Sequence, residues 1–139
     1  MRHYTGIDKF INSFDQALRS LVPGTTSAQR ENPGKVAETQ LAVSEARHVA
    51  GLMRVNHSGG VCAQALYHGQ ALTAKLPNVR REMEQAAIEA QDHLAWCEDR
   101  LKELDSHTSL LNPIWYGLSF GMGAIAGIAG DKYSLGFVA

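Results

Sequence analysis

The clearest structural pattern in the chain lies in residues 78–104, NVRREMEQAAIEAQDHLAWCEDRLKEL. Apolar residues recur there every three or four positions, the spacing that places side chains on one face of an α-helix. They are Met83, Ala86, Ala87, Ala90, Leu94, Cys97, Leu101 and Leu104. Asn78 has a helix-capping side chain, and Glu82 and Glu84 suit the positive end of the helix dipole. We therefore predict a long amphipathic helix capped by Asn78.

A second helical pattern covers residues 41–76 and ends at Pro77, because a proline ring does not fit a helix interior. The centre of this pattern contains Gly59 and Gly60. Each glycine costs about 1 kcal/mol relative to alanine inside a helix. Either the helix breaks at this point, or contacts with other helices hold it together.

Residues 1–40 contain a short amphipathic pattern followed by a linker. The pattern, at 7–22, has Ile, Phe and Leu at helical spacing, with Thr5 or Asp8 near its cap. Such a helix could pack on another helix or lie on a membrane surface, and its balanced charge favours packing. The residues at 23–37 are rich in Pro, Gly, Ser and Thr, which predicts a flexible linker.

The segment 108–130 is unusual because none of its 23 residues is Asp, Glu, Lys or Arg. Its glycines include two pairs with the spacing that lets helices approach closely: Gly117 with Gly121, and Gly123 with Gly127. The segment is long enough to span a bilayer, but it could also be a buried hairpin helix or a helix half-sunk in a membrane surface. A transmembrane helix is the least favoured of these three because of Asn112, Pro113 and the glycines. We therefore expect a buried or surface-associated helix.

No segment alternates apolar and polar residues in the manner of a strand, so the predicted fold class is all-α, with the helical domain at residues 41–139. The chain has 139 residues, which suits a single domain. Its 13 basic and 14 acidic residues argue against a dedicated nucleic-acid binder. Cys62 and Cys97 are too few for a disulfide framework or a zinc cluster, and we interpret them as thiols in a reducing compartment.

His93 stands out among the six histidines because Glu89 lies four residues before it, on the same helix face. A carboxylate and an imidazole on one face of a bundle helix can bind a metal, and ferritin-like di-iron bundles use Glu-x-x-His on two helices. The residue three positions before His93 is Ala90, whose methyl group cannot coordinate. The spacing alone therefore makes only a weak case for a metal at His93.

Several separated motifs resemble the demethoxyubiquinone hydroxylase family. The motifs RHVAGLMRVNHSG at 47–59 and AQALYHGQ at 63–70 are similar to its first core helix, and DHLAWCE at 92–98 is similar to its second. The glycine-rich residues at 111–132 are similar to the segment that follows. The resemblance runs from about residue 45 to residue 139 and is closest to the bacterial branch.

This resemblance implies a ferritin-like four-helix bundle, of which the chain would supply about the first half plus a glycine-rich hydrophobic helix. It implies a di-iron centre that hydroxylates demethoxyubiquinol with O2 late in ubiquinone biosynthesis. The implied location is the bacterial cytoplasm, peripherally on the inner membrane. The implied partners are a quinone-type lipid, the membrane surface, and either a second copy or other proteins of ubiquinone biosynthesis. Arg54 and Tyr67 lie on the helix that would face the active site, so substrate binding is one interpretation; a solvated Arg and a packed Tyr are the plainer ones.

The metal ligands that the resemblance implies are mostly missing from the chain. Gly60 follows the motif at 57–59 where the family has a Glu ligand, and Ala90 replaces the Glu of the second-helix Glu-x-x-His. His93 is the one matching ligand, and Glu89 could stand in for a lost carboxylate. The family's remaining ligand-bearing helices are expected beyond residue 139.

We therefore expect a truncated, ligand-depleted form that assembles no di-iron centre and is inactive alone. The first alternative is a non-catalytic helical module that keeps a quinone-, lipid- or partner-binding surface. The second is a membrane-associated structural protein built on residues 108–130.

Overall fold

The computed structural model of the chain describes residues 3–25, 27–34 and 40–138. These residues form α-helices and no strand, which confirms the all-α fold class. The helices are α1 (Gly6–Leu21), α2 (Val43–Thr73), α3 (Pro77–Glu103), α4 (Asn112–Ala129) and α5 (Asp131–Val138). The long helix α2 is central, since α3 and α4 each pack along it. The short helix α1 contacts α2 and α4, and α5 packs on α4.

Helix α2 continues without a break through its two central glycines. Gly60 is buried against α3, where an added Cβ would lie 3.0 Å from Leu94 Cδ2. The absence of a side chain therefore lets the two helices approach closely, and this packing offsets the low helix propensity of glycine. The sequence left two alternatives open, a break in the helix or contacts that hold it together, and the second is correct.

The start of α3 differs from the prediction, since Asn78 is not its cap. The helix begins at Pro77, with Leu76 in the capping position. A proline fits the first helical position because its φ is already helical and its missing N–H would have had no partner there. The backbone N–H groups just before the helix are satisfied by Asp131 instead. Its carboxylate accepts from the N–H of Lys75 at 3.0 Å and from the N–H of Leu76 at 2.7 Å. This contact ties the α2–α3 turn to the junction of α4 and α5.

Helix α4 occupies most of the uncharged segment and has two different sides. On the side facing α2, an added Cβ at Gly123 would overlap the backbone carbonyl of Leu66, and one at Gly127 would overlap Thr73. The opposite side is exposed and apolar, with Ile114, Leu118, Met122, Ile125 and Ile128. None of the described helices combines the length and hydropathy needed to cross a membrane. Helix α5, which begins directly after Gly130, has no counterpart among the predicted helices.

Helix α1 packs on the bundle near its C-terminal end, while most of its large apolar residues face outward. Of the two residues predicted near its cap, Thr5 is the N-cap: Thr5 Oγ1 accepts from the Asp8 backbone N–H, and the Asp8 carboxylate accepts from the Thr5 backbone N–H. Ala17 and Leu21 pack against the core cluster that includes Val61 and Leu94. Ser20 is buried and donates to Gln64 Oε1 at 2.6 Å. The outward stripe consists of Ile7, Phe10, Ile11, Phe14 and Leu18, all exposed.

The described part of the segment predicted to be a flexible linker is joined to α3 by hydrogen bonds. Gly24 N–H donates to Glu98 Oε2 at 3.0 Å, and Asp92 accepts from Gln29 N–H and Arg30 Nε, both at 2.7 Å. Burial raises the pKa of Asp92, but these hydrogen bonds outweigh it and hold that pKa below its usual value. Residues 26 and 35–39 lie outside the described residues.

Candidate functional site

The helix packing brings the implied ligand positions on α2 and α3 together. An added Cβ at Gly60 would lie 3.1 Å from His93 Cδ2, so position 60 touches the imidazole directly. Ala90 lies one turn before His93 on α3. The geometry therefore places two carboxylate positions and one histidine at one point between the helices. A glycine and an alanine in two of these positions supply no donor atom.

The imidazole of His93 has protein partners in this arrangement. Its Nε2 lies 3.2 Å from Asn56 Oδ1 and 3.7 Å from Cys97 Sγ. Burial raises the pKa of the Cys97 thiol to about 11, so the sulfur is protonated near pH 7. Glu89, the suggested substitute ligand, is exposed and accepts a hydrogen bond from Gln85 Nε2 at 3.3 Å.

The residues at this point do not fit a di-iron centre. Within the described residues, no group of three or more His, Cys, Asp and Glu side chains is placed to hold a metal ion. Carboxylates that bridge and cap two irons are the defining donors of such centres in helical bundles. Here the two positions where α2 and α3 would supply them have no oxygen, so we derive no chemistry from iron bound to these residues.

The two residues suggested for substrate binding make structural contacts. Arg54 donates through Nε to the His107 carbonyl at 2.9 Å and through Nη2 to Ser106 Oγ at 2.6 Å, which fixes the turn between α3 and α4. Tyr67 is partly buried and packs against the apolar cluster that includes Val79 and Met83 of α3. Neither contact tests a role toward substrate, which stays a prediction.

A buried polar network joins α2, α3 and α4, and sequence reasoning missed it. Asn112 Nδ2 donates to His57 Nδ1 at 3.3 Å, which leaves His57 Nε2–H to donate to Glu98 Oε1, also at 3.3 Å. Ser58 Oγ donates to Asn112 Oδ1 at 2.9 Å. His57, Glu98 and Asn112 are all buried. Since these three residues come from three helices, no local pattern could have linked them.

A second unpredicted pair connects α2 to α4. His68 Nδ1 lies 2.8 Å from Tyr116 Oη, and the Tyr116 ring stacks on Phe120. Burial lowers the pKa of His68 to about 4 and raises that of Tyr116. Both groups are therefore neutral near pH 7. Two cavities lie beside this pair, on either side of α1; their volumes are about 290 Å³ and about 420 Å³.

Comparisons with known proteins agree on one family. The sequence model described as "Ubiquinone biosynthesis protein COQ7" matches residues 47–139. A 3-demethoxyubiquinol 3-hydroxylase of Acinetobacter baumannii is 86% identical over 139 residues, which is 100% of this chain and 66% of that protein. The same figures hold for a protein of the same name in Acinetobacter baylyi.

A more distant relative of the same name, from Stutzerimonas stutzeri, is 61% identical over 99% of this chain and 65% of its own length. The chain thus spans about two thirds of the length of the curated relatives it matches. No solved structure matches it.

Proposed function

Because the chain belongs to the ubiquinone biosynthesis protein COQ7 family, we propose that it is a ligand-depleted form of a 3-demethoxyubiquinol 3-hydroxylase. In this proposal, the residues of this chain bind the quinol but do not assemble the family's iron centre. Hydroxylation by these residues alone is therefore not expected. Of the positions 60, 90 and 93, where the resemblance implies ligands, only His93 keeps a donor side chain.

The observation that carries the proposal is the contact between position 60 and His93. Helices α2 and α3 hold these positions together, as a shared metal site would need. The helix geometry therefore supports a site inherited from metal-binding relatives, while Gly60 and Ala90 remove its carboxylates. Leu94 packs against Gly60, where an added Cβ would lie 3.0 Å from Leu94 Cδ2.

Restoring the two carboxylates tests this proposal. The double variant Gly60→Glu/Ala90→Glu brings two carboxylates to His93, and we expect it to retain Co(II), used as a spectroscopic substitute for Fe(II), after dialysis. The parent chain is expected to retain neither metal. The matched control is Gly59→Glu/Gln91→Glu, which adds the same two carboxylates one residue away along each helix.

Two results would contradict the proposal. One is stoichiometric iron in the parent chain, measured by elemental analysis. The other is equal metal retention by the restored and control variants, which would mean that positions 60, 90 and 93 form no common site. A thermal unfolding curve for each variant checks folding, because Leu94 must shift by a few tenths of an ångström to admit Glu at position 60.

The quinone- and lipid-binding role is supported by a different observation, the exposed apolar faces of α1 and α4. These faces adjoin, because one groove is lined by Phe10 and Phe14 of α1 and by Gly117 and Phe120 of α4. Large apolar patches of this kind mark interaction surfaces. A membrane surface suits an uncharged α4, and it is where a quinol with an isoprenoid tail would be found.

We propose that this combined surface holds the chain peripherally on the cytoplasmic side of the bacterial inner membrane. The other apolar residues at the surface, such as Leu52 and Val55 of α2, would then be covered by a second copy or by other proteins of ubiquinone biosynthesis. Arg54 and Tyr67 are proposed to act on the quinol through the positions they hold on α2.

A further inference from the structure

The two ends of α1 differ in how they meet the rest of the protein. Every described residue from 3 to 12 is exposed. The residues of α1 that are half-buried or buried all come later in the helix: Ser13, Gln16, Ala17, Ser20 and Leu21. The N-terminal part of the helix therefore stands away from the other helices, whereas its C-terminal part is packed on them.

The polar contacts of α1 with the other helices are confined to its C-terminal end. Ser20 Oγ donates to Gln64 Oε1 of α2 at 2.6 Å, and just after the helix the Gly24 N–H donates to Glu98 Oε2 of α3 at 3.0 Å. Among the described residues, the side chains at 3–15 form hydrogen bonds and ion pairs only within α1 and its cap. A helix that is fixed at one end can rotate as a rigid rod about that end.

A cavity of about 290 Å³ separates the N-terminal part of α1 from α2 and α3. Its floor on α2 contains the largely buried His68 and also Leu72, which is 42% exposed. Rotation of α1 into this space would cover His68 and bury Leu72, and burial of apolar surface is favourable. The cavity therefore provides both the room and a driving force for closure.

The two walls of this cavity carry complementary charges. Asp8 and Lys9 lie on the α1 side, and Arg80 and Glu84 lie on the α3 side. The side chains of Lys9 and Glu84 form no hydrogen bond or ion pair within the described part of the chain. A separate cavity lies on the α4 side of α1, but α4 has no Asp, Glu, Lys or Arg to offer as a partner. The charges thus favour rotation of α1 toward α3.

We infer that residues 3–15 form a lid, hinged between Ser20 and Gly24, that closes over the cavity at His68 and is held closed by a Lys9–Glu84 ion pair. The structure shows the lid open. Closure regulates the access of small molecules to the His68 imidazole, whose Nδ1 contacts Tyr116 and whose Nε2 has no partner among the described residues. This inference goes beyond the proposed function, and its test uses no quinone and no metal.

The test measures the access of diethyl pyrocarbonate, which acylates neutral imidazole, to His68 in the purified 139-residue chain. Mass spectrometry of peptides distinguishes His68 from the exposed His48, which serves as the internal reference. Lys9→Glu places a carboxylate opposite Glu84, and we expect the acylation rate of His68 to rise about two- to fivefold, the range that corresponds to one exposed ion pair. The exchanged variant Lys9→Glu/Glu84→Lys restores the attraction and is expected to return to the parent rate.

A matched control makes the same change of charge away from the lid. Lys102→Glu, at the exposed C-terminal end of α3, is expected to leave the acylation rate of His68 unchanged. Lys9→Glu does not weaken α1 itself, because a carboxylate suits the positive end of the helix dipole. High salt screens the ion pair, so the parent rate should rise toward that of Lys9→Glu.

Four results would overturn the lid. Equal rates for Lys9→Glu and the parent would mean that Lys9 does not hold it closed. Equally raised rates for Lys9→Glu and the exchanged variant would mean that the pair with Glu84 does not form. No acylation of His68 in any variant, while His48 reacts, would mean that the cavity admits no small molecule. Faster hydrogen exchange at residues 16–21 in Lys9→Glu than in the parent would mean that the whole helix detaches and that no hinge exists.

Discussion

One substitution, glycine to alanine, should change stability in opposite directions at two positions of α4. Gly121 and Gly123 lie two residues apart in the same helix. An added Cβ at Gly121 meets nothing within 4 Å, whereas at Gly123 it would overlap the backbone carbonyl of Leu66 in α2. The gain in intrinsic helix propensity from glycine to alanine is thus the same at both positions, and only the contact with α2 differs.

The magnitudes follow from these two surroundings. Alanine in place of glycine in an open helix interior stabilises by about 1 kcal/mol, so Gly121→Ala should raise the free energy of unfolding by that amount. At Gly123 the same gain is opposed by overpacking, which typically costs about 1–3 kcal/mol and costs more when the obstacle is backbone. Since a carbonyl cannot rotate away, α4 must move off α2, and we expect a net loss of about 1–2 kcal/mol. The two variants should therefore differ by about 2–3 kcal/mol.

Circular dichroism at 222 nm during urea and thermal unfolding measures this difference. For a chain of this size, it corresponds to about 10 °C between the midpoints of the two variants. If Gly123→Ala is as stable as Gly121→Ala, the close packing of α2 and α4 described above is wrong. If Gly121→Ala is as unstable as Gly123→Ala, α4 is buried on a side that the structure shows as open.

Two further predictions concern His68 and the apolar surface. The pKa of His68 is about 4 in the folded state, against an ordinary value of 6.5. The unfolded chain therefore binds a proton more readily, and protonation of His68 should reduce the free energy of unfolding by up to about 3 kcal/mol as the pH falls from 6.5 to 4. Above pH 6.5, His68 should have no such effect. Urea unfolding from pH 7 to 4.5 should therefore show a shallower loss for His68→Gln than for the parent, and parallel curves would contradict this. In flotation with phospholipid vesicles, Leu118→Ser/Ile125→Ser on α4 (61% and 69% exposed) should reduce binding. The control pair Leu52→Ser/Val55→Ser on α2 (60% and 72% exposed) should leave binding unchanged, and an equal loss in both pairs would refute the assignment of the membrane surface to α4.

The helices were predictable where their own residues determine them. The apolar stripe of 78–104 and the Thr5 cap specify α3 and α1 locally, and both are present. The two small-residue pairs of α4 could not be distinguished from sequence, because both have the same spacing. Gly123 and Gly127 lie against α2, while Gly117 and Gly121 face open space. The rotation of α4 about its own axis, which the packing sets, decides which pair is used.

The candidate site was only partly predictable without the resemblance. Helical spacing singled out His93 and the missing carboxylate at position 90, the matching motifs added position 60, and the structure adds that 60 and 93 touch. The His57–Glu98 contact and the His68–Tyr116 contact pair residues that are 41 and 48 positions apart. Periodicity within one helix carries no information about such pairs. The outward orientation of α1 was equally hidden, since an amphipathic pattern shows that a helix has an apolar face but does not show what that face contacts.

The described contacts between α2 and α3 involve no metal, so the fold is compatible with the proposed absence of carboxylates at positions 60 and 90. Val61 and Ala65 of α2 and Leu94 of α3 form a core with Tyr116 of α4. The hydrogen bonds of His57 hold the same three helices on the polar side of the core. A buried carboxylate without a metal or another cation would be strongly unfavourable, so glycine and alanine are the residues that a metal-free version of this site tolerates best. In this proposal, the substitutions that remove the metal donors also spare the scaffold an unpaired buried charge, and they do not touch the apolar surfaces of α1 and α4 that are proposed to contact the quinone.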